Sequence, residues 1–196
     1  MKIQCIGVVI VLAAVLPFTA SARPVQGVGI YLGTARYKSE TDVPGIPVNL
    51  SYDSKGSSYG LDVQFPVSDL LSINPFYLTS SESSDVFNEA PLDSADITNS
   101  VIGVQVRLWP TDAFFLGAHV GSYSQSVSFT KYASEDGSGI GYGLVGGAEV
   151  EVAQKVHLFI QGQYDSVPAM DVLTGASDNS MTGIRIHIGL RLVTEN

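Results

Sequence analysis

Three histidines, His119, His157 and His187, are the side chains of this sequence best suited to move a proton. Hydrolysis would require one of them within hydrogen-bond reach of a nucleophile and oriented by an acid. The nearest arrangement is His119 with Ser122 and Glu135. On a strand, residues three apart face opposite sides and lie about 10 Å from each other. That spacing excludes a triad. No two histidines have the i, i+4 helical spacing of a metalloprotease, and no glycine-rich loop leads into a helix to cradle phosphate. The single cysteine, Cys5, can make neither an intramolecular disulfide nor a thiolate zinc site. No catalytic, cofactor-binding or metal-ligating set is read from the sequence.

A different chemistry is carried by charges at alternating positions. In 102–108 one face is purely aliphatic (Ile102, Val104, Val106, Leu108), and the other is Gly103, Gln105 and Arg107. The same split runs through 184–192, 59–65 and 156–161, with weaker runs at 28–37, 71–79, 113–123 and 140–152. Period-two alternation predicts strands, eight in all. Parity then places Asp62, Glu149 and Glu151 on the polar face together with Arg107, Arg185 and Arg191. Gln64, Gln105, Gln161 and the three histidines share that face. Buried charges must be paired to be tolerated, so three acids against three arginines predict a salt-bridged interior. Gly141, Gly143 and Gly147, with Gly117 and Gly121 opposite, predict small polar cavities for water.

The elements that must hold these charges are bounded by composition. The chain has 196 residues, 45% apolar and 15% charged, with a formal net charge of −9. Disordered chains are charge-rich and apolar-poor, and a nucleic-acid binder needs a basic face, so both classes are excluded. Lys2, the apolar run from Ile6 to Phe18 and Ala20-Ser21-Ala22 predict a cleaved signal peptide over 1–22. Residues 23–196 then form one domain with no apolar stretch long enough for a transmembrane helix. Strands of roughly nine to eleven residues, by contrast, suffice to cross a membrane when tilted. The connections alternate long and short. The long ones are read at 38–57, 80–100, 124–139 and 165–180, the short ones at 66–70, 110–112 and 153–155. Tight turns on one rim and long loops on the other mark an antiparallel membrane barrel.

In this architecture the chain resembles the small eight-stranded outer-membrane barrels, of the OmpX and opacity-protein type and the transmembrane domain of OmpA. The resemblance spans about 26–193 and rests on architecture rather than on a signature motif. It implies an all-β, eight-stranded antiparallel up-and-down transmembrane β-barrel in the cell outer membrane. It also implies contact with outer-membrane lipid, lipopolysaccharide and the outer-membrane assembly machinery. Barrels of this kind usually end on an aromatic residue, whereas here Leu192-Val193 is followed by Thr194-Glu195-Asn196. An outer-membrane lipid A deacylase shares the strand number, but its compact His-x-Ser pattern is absent. The reading favoured is a non-enzymatic barrel with a plugged polar lumen, which displays acidic loops for envelope integrity or surface interaction. A lipid A-modifying enzyme and a narrow solute or ion channel stay open as alternatives. So does a soluble lipocalin-like barrel, which would turn the aliphatic face inward.

Barrel geometry also sorts the aromatics and the rim charges. Tyr59, Tyr77, Tyr142 and Tyr164 fall near the outer strand ends and face outward, which predicts an aromatic girdle at the lipid boundary. Trp109, Phe114 and Phe65 fall at the periplasmic ends and predict the second girdle. Thirteen of the acids lie in the long connections, against three of the bases. The second connection alone holds Glu82, Asp85, Glu89, Asp93 and Asp96. Such a rim predicts divalent cations shared with lipopolysaccharide phosphates, because hard cations prefer oxygen ligands. The five acids lack the spacing of an EF-hand.

Overall fold

The computed structural model describes residues 24–42, 50–84, 95–129, 135–172 and 177–195. The segment expected to be a signal peptide lies outside the described residues, as do Asp85, Glu89 and Asp93. Eight strands follow in order: β1 (Gln26–Asp42), β2 (Leu50–Ser68), β3 (Leu71–Ser84), β4 (Ala95–Leu108), β5 (Phe114–Phe129), β6 (Glu135–Ala153), β7 (Val156–Val172) and β8 (Ser177–Glu195). Each pairs antiparallel with its neighbour, and β1 also pairs with β8, which closes the barrel. Closure leaves no open edge to pair with another chain.

The side chains alternate as the sequence requires, with the polar face turned inward. Ile30, Leu32, Ile102, Leu116, Ile140 and Leu144 are each more than 60% exposed, in a belt of aliphatic side chains around the barrel. In water such a continuous apolar surface would drive association. In a bilayer it is the matching solvent, and closure lets every strand satisfy its backbone internally. Arg107, Arg185 and Arg191 lie inside, which excludes the reversed, lipocalin-like polarity.

The strands are 14 to 19 residues long, well beyond the roughly nine to eleven needed to cross lipid. They therefore continue past the apolar belt at the end opposite the short turns. Connections expected at 38–57, 80–100, 124–139 and 165–180 are correspondingly shorter, since pairing persists to Thr41↔Leu50, Ser84↔Ala95 and Val127↔Glu135. Along β5, Ser122, Ser124 and Ser128 stay exposed while Tyr123, Gln125 and Val127 stay buried. Hydroxyls have replaced aliphatics on the outer face. The alternation survives, and only its apolar signal fades.

At the other end the turns are tight. Lys155, in the two-residue turn between β6 and β7, has φ 62°, the left-handed conformation such hairpins demand. Its carbonyl accepts a hydrogen bond from Val193 N at 2.9 Å. Between β4 and β5, Thr111 Oγ1 accepts from Phe114 N at 3.0 Å, which shapes the wider turn.

Candidate functional site

The barrel interior holds the chemistry, and it is layered. Nearest the turns, the buried Trp109 indole donates from Nε1 to Ser72 Oγ at 3.2 Å and packs on Phe115 at 5.1 Å between ring centroids. Above it lies the first ionic layer. Asp62, on β2, takes Arg107 Nη2 of β4 at 2.7 Å and Arg191 Nη2 of β8 at 3.1 Å. Arg191 Nε reaches Glu149 Oε1 of β6 at 3.3 Å, and His157 Nδ1 lies 3.0 Å from the same oxygen. Gln105 Oε1 accepts from Arg107 Nε at 3.0 Å, and Gln161 Oε1 accepts from Arg107 Nη2 at 3.1 Å. Two carboxylates face two guanidiniums, and the arginine side chains lie over the rings of Phe115 and Phe159 at 4.6 and 5.2 Å. Pairing of this kind is what makes fully buried charge tolerable.

Rings separate this layer from a second. Tyr31 meets Phe159 edge-on at 5.7 Å and His187 at 5.0 Å. Next comes Asp165, on β7, which gathers five groups. Arg185 Nε lies 3.1 Å away, Tyr37 and Tyr123 donate their hydroxyls at 2.9 and 2.7 Å, Gln163 Nε2 donates at 3.0 Å, and His119 Nε2 sits at 3.0 Å. Leu78, Val101, Val167, Met170 and Met181, all nearly fully buried, lie in the apolar cluster at this level.

No family model and no curated protein matches the chain. Among solved structures, the outer membrane protein OprG from Pseudomonas aeruginosa matches with a TM-score of 0.61 at 12% identity, over 90% of this chain and 99% of that one. Ail, the attachment invasion locus protein of Yersinia pestis, matches with a TM-score of 0.53 at 12% identity, over 86% and 99%. The fold is that of the small eight-stranded outer-membrane barrels. The aliphatic belt is on the outside of this fold, where a bilayer would meet it.

The barrel brings Asp62, Arg107, Glu149 and Arg191 into one contact network. It places Arg185 in the other layer, where its carboxylate partner is Asp165. Glu151 is corrected outward. It has the inward parity of Glu149 but lies two residues closer to the turn, where the lumen has ended and the side chain is exposed. Asp165, expected in a long loop, is instead a fully buried strand residue. Glu82 is corrected in the same way. It is 3% exposed and accepts hydrogen bonds from Ser80 Oγ at 2.6 Å, from Asn99 Nδ2 at 3.0 Å and from Ser54 Oγ. Asp96 is exposed on the outward face of β4, as a rim acid should be.

The four tyrosines Tyr59, Tyr77, Tyr142 and Tyr164 lie outward and are 42–58% exposed. Of the periplasmic aromatics, Phe65 and Phe114 face out, but Trp109 turns in as a buried lid. The inward glycines of β6 do not leave water cavities either. A Cβ at Gly141, Gly143 or Gly147 would meet Tyr123, His119 or Phe115 within 2.7 Å. The rings of β5 lie against the bare backbone of β6.

One pairing was not read from the sequence. Ser58 Oγ lies 2.9 Å from His187 Nε2, reaching from β2 past β1 to β8. The two residues are 129 apart in the chain, and no local spacing announces the contact. His187 Nδ1 is buried without a hydrogen-bond partner, so no acid orients the ring.

Proposed function

We propose that this outer-membrane barrel is non-enzymatic and closed, and that its working surface is the part of the strands and loops standing beyond the lipid. The observation that carries this reading is the Asp62–Arg107–Arg191 contact, in which all three side chains are 0% exposed. It spans the lumen between β2, β4 and β8, where a conducting pore would need water. A lid of Trp109 and Phe115 at one end and the apolar cluster around Leu78 at the other support closure. With the lumen closed, the protruding strands and acidic rim would serve envelope integrity or contact with other surfaces. Rim carboxylates would share divalent cations with lipopolysaccharide phosphates. A solved barrel of this fold is named for attachment and invasion, which is a function of the same kind.

A serine–histidine contact that an enzymatic alternative could use is Ser58 with His187. Both are buried, and the histidine has no orienting acid, so neither access nor activation favours it. The channel alternative is tested directly in planar bilayers. The wild-type barrel is expected to show no steady conductance, whereas Arg107→Ala, which removes the bridge across the lumen, should conduct. Steady ohmic current through the wild type would reject the closed reading.

A further inference from the structure

Among the described residues four carboxylates are buried inside the barrel: Asp62, Glu82, Glu149 and Asp165. Asp62, Glu149 and Asp165 each meet a guanidinium. Glu82 has only neutral partners, the hydroxyls of Ser54 and Ser80 and the amide of Asn99. Lys55, on the adjacent strand, points outward. These partners supply Glu82 with hydrogen bonds but not with charge, whereas a buried ion is ordinarily paired or bound to a metal.

Ser84 stands beside this group. It follows Glu82 by two residues on the inward face of β3, and it lies one residue past the Lys55↔Ser83 pair, as Ser54 does on β2. It is 3% exposed, and its Oγ has no hydrogen-bond partner. A hydroxyl carries one proton and two lone pairs, so Ser54 and Ser80 can donate to Glu82 and still offer a lone pair. One carboxylate and three hydroxyls thus form an all-oxygen set on two neighbouring strands.

That composition selects the ion. No three His, Cys, Asp or Glu side chains gather among the described residues, so a transition metal would lack its usual nitrogen and sulfur ligands. Calcium accepts irregular sets of carboxylate, neutral oxygen and water, while magnesium demands near-octahedral geometry and gives up water reluctantly. Position fits an ion from the medium. Glu82 lies five residues past the outward Tyr77, about 17 Å along the strand. At a tilt of roughly 35–45° that is about 13 Å of height. Beneath it Leu78 and Val101, both buried, bar the way down the lumen.

We propose that Glu82, with the hydroxyls of Ser54, Ser80 and Ser84, holds a calcium ion inside the outer mouth of the barrel. The ion supplies the positive charge that the three other buried carboxylates take from arginine, and it ties β2 to β3 beyond the aliphatic belt. The site is separate from the outward rim acids and needs no lipopolysaccharide.

The test uses the whole barrel refolded in zwitterionic micelles free of lipopolysaccharide, stripped with EDTA and titrated calorimetrically with calcium chloride. A saturable one-to-one component is expected, in the weak range of about 10⁻⁴–10⁻³ M for a set with a single carboxylate. Glu82→Gln, which keeps the shape, should abolish that component. Ser84→Ala removes no hydrogen bond of the fold and should still weaken calcium, a loss that a purely structural serine would not produce. Asn99→Asp puts a second carboxyl where Nδ2 now lies 3.0 Å from Glu82 Oε1. The added ligand charge should tighten calcium roughly tenfold, a gain that can be read even if Glu82→Gln does not fold. No binding by the wild type would overturn the proposal, as would unchanged affinity in Glu82→Gln or in Asn99→Asp. So would an equal loss from Asp96→Asn, on the outward face of β4. Sodium chloride competing mole for mole would overturn the calcium assignment.

Discussion

Asp62 is the acceptor on which two arginines converge, so the consequence of losing it can be argued from its contacts. In Asp62→Ala, Arg107 and Arg191 would remain at zero exposure, with Glu149 left as their carboxylate in that layer. Breaking a buried pair by removing one partner typically costs about 3–5 kcal/mol. Asp53, exposed beside Arg36, makes a surface pair whose removal is expected to cost less than about 1 kcal/mol. Unfolding by urea in detergent should therefore separate Asp62→Ala clearly from Asp53→Ala. Equal midpoints would show that the interior is wet enough to solvate a stranded guanidinium. Much of this arrangement was legible in the sequence, because parity alone puts Asp62, Arg107, Glu149, Arg185 and Arg191 on one face. What parity cannot supply is height along the barrel. Glu151 has the correct face and the wrong level, and it is exposed for that reason. Asp165 and Glu82 have the correct face too, but the serines around Glu82, and Ser166 and Pro168 after Asp165, made the strand look like a loop.

On the strands, depth and face act together. Val104 and Thr98 both point outward on β4, but Val104 sits within the apolar belt and Thr98 lies four residues past Ile102, toward the far rim. Arginine near the bilayer midplane of a barrel costs about 2–4 kcal/mol, and close to nothing once past the interface. Val104→Arg should thus lower refolding stability in phospholipid vesicles while Thr98→Arg leaves it nearly unchanged; the reverse order would misplace the belt. A second element-scale prediction concerns close approach. A Cβ built on Gly183 of β8 would lie 2.0 Å from the Tyr37 ring of β1. That ring holds Asp165 and contacts Arg185, so it cannot give way freely. Gly183→Val is expected to cost about 1–3 kcal/mol, the range for overpacking, and to disturb the aromatic near-UV signal of the folded barrel. The glycine rows were visible in the sequence as spacing. Their occupants were not, because rings from the adjacent strand cover them and no local pattern encodes that register.

At the scale of the whole molecule, closure dominates. Every strand has two partners and the backbone is satisfied without solvent, so the folded form should withstand detergent that would unfold an open sheet. Unboiled protein is expected to migrate apart from boiled protein on a detergent gel and to sediment with outer membranes. Recovery from the soluble periplasmic fraction would contradict this. The same closure also sets an order of events during assembly. Asp62 of β2 meets Arg191 of β8, Tyr37 of β1 meets Asp165 of β7, and Ser58 of β2 meets His187 of β8. Each of these contacts reaches across the β1–β8 seam. Until the first and last strands join, neither ionic layer is complete and its charges must remain hydrated. Drying of the lumen and zipping of the seam are therefore a single late step, and an unfinished barrel is a water-filled one.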